Sequence, residues 1–495
     1  MSISFNTIPS GIRVPLFYAE VDNSAAYASS DAYQSLLIGQ MLDSGTATVG
    51  KPVLVSTAAQ AKKLFGRGSV LARMVEAFRN QATVATLMCL PIAAPDTATA
   101  ATATITVAGT TTEAGTISLY IGGERVQTTV ASGTAAAAVA QAIVDSLELE
   151  KDFPVTAACE SNVVTLTAKT PGTLGNDISV ALNLRGAING EETPSGISLT
   201  ITAMAGGAGD PDIEDATSVM KDERYDFIAC PWSDAATLDA LELVLDDSTG
   251  RWSPYSMLYG HVYTAKRGEA DTLKTFGNTR NSQHVTVFGL EPGLPATLDV
   301  VLAAAVGRTA VFTEADPSRP TQTGELTDVL AASSDERFDL TTRNTLLQNG
   351  IATLTTSSAS VVMIERAITT YQTNSLGDAD ASYLDSETMH QLAYIIRQLK
   401  SRITSKYARH KLADDGTAYG AGQAIVTPSV IRGELVACYA ELEEAGHVEN
   451  SDLFAKNLIV ERNSDNPNRL DVLFPPDLVN QLRIFAVLNQ FRLQY

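Results

Sequence analysis

Residues 33–55 read YQSLLIGQMLDSGTATVGKPVLV. They contain two short apolar runs, at residues 35–39 and 53–55, that are typical of buried strands. Ser56 or Thr57 then supplies a side-chain oxygen that can begin a helix, and Gly66 suits the end of that helix. Because alternating strands and helices form parallel sheets, this stretch predicts an α/β fold.

The same alternation returns after residue 212. Apolar runs at residues 225–230, 256–259 and 284–288 predict strands, and residues 234–245 and 295–306 predict helices. Such a series builds a mostly parallel sheet that is covered on both faces. We therefore assign residues 32–91 together with residues 210–365 to one α/β core domain.

The intervening segment has a different composition. Residues 98–209 are rich in Thr, Ala, Gly and Ser, and their only aromatic residues are Tyr120 and Phe153. Short alternating segments are separated by turn residues, and one helix is predicted at residues 135–147 after Thr134. This pattern predicts that residues 92–209 form an inserted, β-sandwich-like domain.

The last third predicts an α+β domain at residues 366–476. Asp385 or Ser386 begins a long helix, and a second helix has Pro428 at its first position and Gly446 just past its end. A hairpin is predicted from two apolar runs at residues 458–460 and 470–474. After two prolines, residues 477–495 predict an arm with a final strand at residues 482–488.

The first residues also predict an arm. Two prolines interrupt an apolar stretch before residue 18, and residues 22–31 are small and polar like a linker. We interpret residues 1–31 as an extended arm on a tether, although a poorly ordered terminus fits the same features. An extended arm can add a strand to the open edge of a neighbour's sheet. If each subunit donates an arm to the next, the contact is heterologous and gives rings or helical filaments.

Composition excludes several classes of function. The chain has 495 residues, which suggests about three domains, and its formal net charge of −21 disfavours direct nucleic-acid binding. No apolar run approaches the roughly 20 residues that cross a bilayer, so we expect no stable membrane insertion. No secretory signal is evident at the N-terminus, and the four cysteines are far apart, which fits reduced thiols in a cytoplasm.

The sequence has no convincing catalytic or metal motif. Histidines occur singly, and neither HExxH nor GxSxG is present. Residues 45–51 resemble a phosphate-binding loop, but Pro52 replaces the Ser or Thr and a strand follows instead of a helix. Residues 378–382 resemble the start of a calcium loop, but Tyr383 stands where Gly is needed. We therefore predict no enzyme activity, no cofactor and no metal.

One predicted helix is strongly basic within this acidic chain, and no acidic residue lies between Glu387 and Asp414. Its cations are Arg397, Lys400, Arg402, Lys406, Arg409 and Lys411, and the first five are our candidate contact residues. Two interpretations remain open: a solvated helix face, or a docking face for an acidic partner, since complementary charge fixes register and orientation.

Several segments together resemble the contractile tail sheath proteins of bacteriophages, Mu-like sheaths in particular, over essentially the whole chain. They are IPSGIRVP at residues 8–15, GTLGNDI at residues 172–178, the passage from Asn349 to Tyr371, and the ending from Phe474. The resemblance implies a subtilisin-like core without catalytic activity, a surface-facing inserted domain and a C-terminal domain that faces the tail tube.

The resemblance also implies that both arms add strands to neighbouring subunits. The residues on these exchanged strands would be Ile12, Arg13, Val14 and Leu16 at the N-terminus, and Leu482, Ile484, Ala486 and Leu488 at the C-terminus. Hexameric rings would stack helically around the tail tube and contract, driving the tube through the host envelope for DNA delivery. The implied partners are the tail tube protein, the baseplate and the tail terminator, and the implied location is the virion tail, assembled in the host bacterial cytoplasm. That the basic helix contacts the tube is our own inference.

Two rival functions remain open from the sequence. A hydrolase on a subtilisin-like scaffold would need an Asp, a His and a Ser brought together by the fold. A surface-layer or adhesin protein would suit the Thr-rich inserted domain, but the missing secretory signal argues against it.

Overall fold

The computed structural model of the chain describes residues 33–220 and 222–493. The predicted N-terminal arm, with Ile12, Arg13, Val14 and Leu16, lies outside the described residues. The helices are α1 Ala58–Phe65, α2 Val70–Gln81, α3 Ala136–Leu149, α4 Glu214–Val219, α5 Ala235–Leu245, α6 Ala270–Gly277, α7 Leu298–Ala315, α8 Leu340–Leu347, α9 Ser386–Tyr407, α10 Pro428–Glu444 and α11 Ser451–Asn457.

The strands fall into four groups along the chain. The first group contains β1 Gln34–Gln40, β2 Val53–Leu54 and β3 Thr86–Ile92. The second group contains β4 Thr102–Gly109, β5 Gly115–Ile121, β6 Glu124–Val130, β7 Val155–Glu160, β8 Val163–Ala168, β9 Val180–Leu182 and β10 Ile197–Ile201. The third group contains β11 Phe227–Ala229, β12 His261–Arg267, β13 Val285–Leu290, β14 Gly324–Leu330, β15 Ala352–Thr356 and β16 Val361–Arg366. The C-terminal part adds β17 Lys411–Leu412, β18 Ile425–Val426, β19 Ile459–Arg462 and β20 Leu470–Leu473.

A nine-stranded sheet in the order β14-β16-β15-β13-β12-β11-β1-β3-β2 forms the body. Its central strands are parallel, and β2, β14 and β16 add antiparallel pairs at the two ends. Strand β1 is buried on both faces, because Leu37 joins the apolar core under α2 and α7 while Leu36 and Ile38 join the core under α5 and α6. The apolar run that opens the fold therefore lies at the centre of the sheet.

The segment between β3 and β11 has its own sheets and its own apolar core. Strands β10-β4-β8-β7 form one antiparallel sheet and β6-β5-β9 another, and α3 packs between them with Ile143 buried against Ile105 and Leu166. Asp177 joins this part to the body: its carboxylate pairs with Arg267 and accepts the backbone N–H of Leu298 at 2.7 Å. Burial raises the pKa of the Asp177 carboxyl, and the adjacent Arg267 opposes that effect.

Two predicted elements are placed differently by the structure. The strand predicted at residues 256–259 is wrong, since the chain turns there and the strand is β12, which begins at His261. The cause is the buried guanidinium of Arg251, which donates to the carbonyl oxygen of Tyr259 at 2.9 Å and holds the turn around itself. The helix predicted from residue 295 begins at Leu298, where Asp177 accepts the first N–H, and it continues to Ala315.

The C-terminal part is built on α9 and α10 with the hairpin β19–β20. Its core contains Ile395 and Leu435, and the ring of Tyr439 stacks on Phe454 with centroids 3.7 Å apart. The predicted start of the second helix is confirmed, because Pro428 is its first residue after Thr427. Gly446 follows its end with a φ of 80°, a conformation that favours glycine.

Candidate assembly surfaces

The C-terminal segment is attached to the body as far as Arg483. The N–H of Glu449 donates to the carbonyl of Asp477 at 2.9 Å, and the N–H of Val479 donates to the carbonyl of His447 at 3.4 Å. The side chain of Arg483 is 10% exposed and contacts Asp385 and Glu387 at 3.2 and 3.1 Å. This attached stretch, residues 477–483, is called the arm root below.

Residues 484–493, called the distal arm below, have no such attachment. They belong to no helix or sheet, and they make no hydrogen bond or ion pair with other described residues. Their large apolar side chains are 67 to 85% exposed, namely Ile484, Phe485, Val487, Leu488, Phe491 and Leu493. Contiguous exposed apolar surface of this kind marks an interaction site.

The predicted strand at residues 482–488 is therefore not formed within the single chain. Leu482, Ile484, Ala486 and Leu488 are all exposed, and a strand is stable only when a neighbouring strand takes its backbone hydrogen bonds. The alternation of these residues would put them on one face of a strand if a partner edge were supplied.

The hairpin of β19 and β20 offers such an edge. Among the residues that the structure describes, these two strands pair only with each other, so each has one open side there. Ile459, Val472 and Leu473 are 49, 43 and 58% exposed on the hairpin. Isolated two-stranded hairpins are marginally stable, and open edges are templates for added strands. The hairpin thus presents both unpaired backbone and exposed apolar side chains.

The edges of the large sheet are less suitable acceptors. Strand β2 has two residues, Val53 and Leu54, which is too short for an extended ladder. Strand β14 loses its register with β16 between Glu325 and Leu330, and Asp328 in this stretch has a φ of 64°. Short and irregular edges are the usual protection against edge-to-edge pairing.

The predicted basic helix is shorter than expected, because α9 ends at Tyr407 and Arg409 lies in the turn that follows it. The five candidate cations divide into two groups. Arg397 contacts Asp226 at 2.6 Å, Arg402 contacts Glu434 at 3.1 Å, and Lys406 contacts Glu434 at 2.6 Å. These three side chains hold α9 against the body and against α10. The hydrogen bond from Lys406, followed by smaller charge effects, lowers the pKa of the Glu434 carboxyl.

Lys400 and Arg409 form the second group. Both are exposed, and neither makes an ion pair with the described residues of the chain. These two cations are therefore available for an external partner, whereas sequence inspection alone treats all five as equivalent.

A Ser, a His and an Asp do lie together, but not in catalytic geometry. The hydroxyl of Ser318 lies 2.7 Å from Nδ1 of His447, and Asp316 lies 3.8 Å from the same nitrogen. A catalytic triad needs the Ser on one ring nitrogen and the Asp on the other. Both Ser318 and His447 are buried, so this cluster has no exposed nucleophile.

The usual ligand crevice of an α/β sheet is largely covered by the inserted segment. Such crevices lie at the carboxyl ends of parallel strands, where chain connections diverge, here between β1 and β11. Gln40 at the end of β1 donates from Nε2 to the carbonyl of Pro171 at 3.0 Å, and Arg267 at the end of β12 holds Asp177. A crevice of about 620 Å³ remains beside them.

Within residues 33–220 and 222–493, no group of three or more His, Cys, Asp or Glu side chains is arranged to hold a metal ion. A search of the same residues finds no helix with the length and apolar character to cross a membrane. His261 and His390 are buried and bonded to Thr286 and Tyr263, each at 2.8 Å. Desolvation lowers the pKa of His390 to about 4, so that its ring is neutral near pH 7.

Two protein-family models and one relative match this chain over most of its length. Residues 206–370 match the phage tail sheath protein central domain, and residues 378–492 match the phage tail sheath C-terminal domain. The Mu-like prophage FluMu tail sheath protein of Haemophilus influenzae is 42% identical over 99% of this chain and 100% of its own.

Two solved structures of low sequence identity are also similar. A sheath tail protein from Desulfitobacterium hafniense is 14% identical, with 95% of this chain and 97% of that chain covered at a TM-score of 0.49. A sheath tail protein from Listeria innocua is 14% identical, with 92 and 94% covered at a TM-score of 0.48.

Proposed function

The chain belongs to the phage tail sheath protein family, and from that premise we propose that it is the subunit of a contractile sheath. It polymerises as helically stacked hexameric rings around a tail tube and contracts to drive the tube through the host envelope for DNA delivery. Since the family consists of tail structural proteins, the chain is a structural protein and not an enzyme.

The observation that carries this proposal is that the C-terminal part contains both an unpaired extended segment and a hairpin with an open edge. The distal arm, residues 484–493, has no hydrogen-bond partner among residues 33–220 and 222–493, and within the same residues each strand of the hairpin β19–β20 has one open side. When the arm of one subunit adds to the hairpin of the next, both sets of unpaired backbone groups are satisfied. Donor and acceptor are different surfaces, so the contact is heterologous and extends into a ring or a helix.

The same arrangement supports contraction. The arm root is held at Arg483, while residues 484–493 form no hydrogen bond or ion pair with the rest of the described chain. A subunit can therefore rotate relative to its neighbour while the donated strand remains paired, as in hinge motions. The energy released in contraction would come from additional surface buried between bodies in the contracted lattice.

We assign tube docking to two exposed cations, Lys400 on α9 and Arg409 just past its end. Lys400 and Arg409 face solvent, and an acidic tube surface would complement them. Arg397 and Arg402 support this face indirectly by fixing the orientation of α9. The baseplate and tail terminator are proposed as the partners at the two sheath ends, and assembly is proposed to take place in the host cytoplasm.

Deletion of residues 484–495 tests the proposal, because it removes the distal arm and leaves Arg483 in place. We expect the purified full chain to form hollow striated tubes in negative-stain electron microscopy after concentration, or in the presence of tail tubes. The deletion variant should remain folded by circular dichroism and form no tubes. Normal tubes from this variant would refute strand exchange through the C-terminal arm.

The hydrolase alternative is tested with the same preparation. The buried Ser318–His447 pair predicts no peptidase activity on casein, and activity that disappears on Ser318→Ala would contradict the structural function.

A further inference from the structure

The junction between the arm root and the distal arm is formed by a partly buried cluster of charges, of which Glu387 is the fully buried member. Asp385 and Glu387 lie at the start of α9, where the helix dipole favours negative charge. Arg366, at the end of β16, makes a bidentate contact with Asp385 at 2.8 and 2.9 Å. Arg483 reaches the same Asp385 and also Glu387, so that two cations face two anions.

The cluster joins the arm to three other segments of the body. Glu387 is 1% exposed and accepts both the N–H and the hydroxyl of Thr321, at 2.8 and 2.7 Å. Gln322 accepts from Arg483 at 3.3 Å and donates to the carbonyl of Leu482 at 3.4 Å. Gln481 donates to the carbonyl of Ser318 at 3.2 Å. The arm root is thus bonded on both sides of Leu482, and these contacts end at Arg483.

We propose that Arg483 is the positioning residue of the C-terminal arm: its guanidinium, held between Asp385 and Glu387, fixes the point and the direction in which residues 484–493 leave the subunit. The inference rests on the proposed function, since it specifies how a donated strand reaches its neighbour in a constant register.

The shape of the guanidinium explains why arginine is needed here. Its planar fork binds two carboxylates and the amide oxygen of Gln322 at the same time, from fixed directions. A lysine ammonium would keep the charge but not this geometry. Removal of the cation would leave Asp385 and Glu387 opposed by Arg366 alone, which is unfavourable for buried charges.

The test compares three full-length variants: Arg483→Gln, Arg483→Lys, and Arg319→Gln as the matched control. Arg319 is exposed, lies outside both the arm and the hairpin, and makes no ion pair with the described residues. Hydrogen exchange of the unassembled subunit is measured over residues 477–483, and tube formation is measured by sedimentation and electron microscopy.

For Arg483→Gln we expect amide exchange over residues 477–483 to be about tenfold faster, the order expected for the loss of one charge-assisted hydrogen bond. Tubes should be fewer and irregular in diameter, and the melting temperature of the body should fall, because Asp385 and Glu387 lose one of their two counter-ions. Arg483→Lys should recover part of the protection but not regular tubes. Arg319→Gln should behave like the natural chain.

The proposal would be overturned if Arg483→Gln formed regular tubes and its amides at residues 477–483 exchanged as slowly as those of the natural chain. If Arg483→Gln does not fold, Arg483→Lys decides: irregular tubes from a stable subunit support positioning, and regular tubes refute it. The deletion of residues 484–495 keeps the two ideas apart. Tubes without the distal arm would contradict the proposed function, whereas wild-type behaviour of Arg483→Gln would contradict the positioning role alone.

Discussion

Replacement of Leu488 by Ala should weaken assembly without weakening the subunit. Leu488 is 85% exposed in the distal arm, and Leu149 at the end of α3 is 83% exposed, which makes Leu149→Ala a matched control. In the unassembled chain neither change removes a buried contact. Surface substitutions of this kind usually alter the free energy of unfolding by less than about 0.5 kcal/mol.

The magnitude follows from burial in the assembled state. If Leu488 packs on a neighbouring hairpin, Leu488→Ala removes about 2 kcal/mol of apolar transfer free energy per docked arm. Each added subunit docks one arm, and 1.4 kcal/mol corresponds to a factor of ten. The critical concentration for tube formation should therefore rise by about thirtyfold for Leu488→Ala and stay unchanged for Leu149→Ala.

The critical concentration is read from the soluble fraction after sedimentation over a series of total concentrations. Thermal unfolding of the unassembled subunit provides the second measurement. Equal effects of the two substitutions on assembly would refute the reasoning, because exposure alone would then explain them. A large fall in melting temperature for Leu488→Ala would also refute it, since the arm would then pack on its own body.

The remaining predictions concern charge, pH and the inserted segment. Lys400→Glu combined with Arg409→Glu should reduce co-sedimentation with tail tubes, most at low salt; unchanged binding would make this an ordinary solvated face. Because burial holds the pKa of His390 near 4, below its ordinary value, the unfolded chain binds the proton first as the pH falls. Folding stability measured in urea should drop by about 2 kcal/mol per such histidine from pH 7 to 5; a flat profile would contradict this. Asp177→Asn should destabilise the docking of the inserted segment by about 3 kcal/mol, because Arg267 keeps a buried charge; an unchanged calorimetric trace would count against that role.

Elements whose ends depend on local residues were predictable from the sequence. Thr57 accepts the N–H of Gln60 at the start of α1, and Gly66 follows that helix with a positive φ of 88°. Pro428 and Gly446 bracket α10 in the same way. Val53–Leu54 is a strand, as the apolar run after the phosphate-loop-like segment indicates. In each case the decisive atoms lie within a few residues of the boundary.

Features that depend on distant partners were not predictable. The turn before β12 is organised by Arg251, whose guanidinium reaches the carbonyls of Met220 and Glu223. The basic helix divides into internal and external cations because Asp226 and Glu434 approach it from other elements. Sequence periodicity reports which residues share a helix face, but it does not report which charges the fold places opposite them.

The exposed apolar arm also raises the question of why subunits would not aggregate before they assemble in order. Unpaired edges and exposed apolar segments normally promote indiscriminate association. The chain carries a net charge of −21, so that two bodies repel each other at distances shorter than the screening length. On the proposed strand exchange, productive contact needs a donated strand to align with a hairpin against this repulsion. This requirement favours growth on a surface that already orients the subunits. An acidic tube surface facing Lys400 and Arg409 would provide that orientation, and lower salt should therefore raise the dependence of assembly on added tubes.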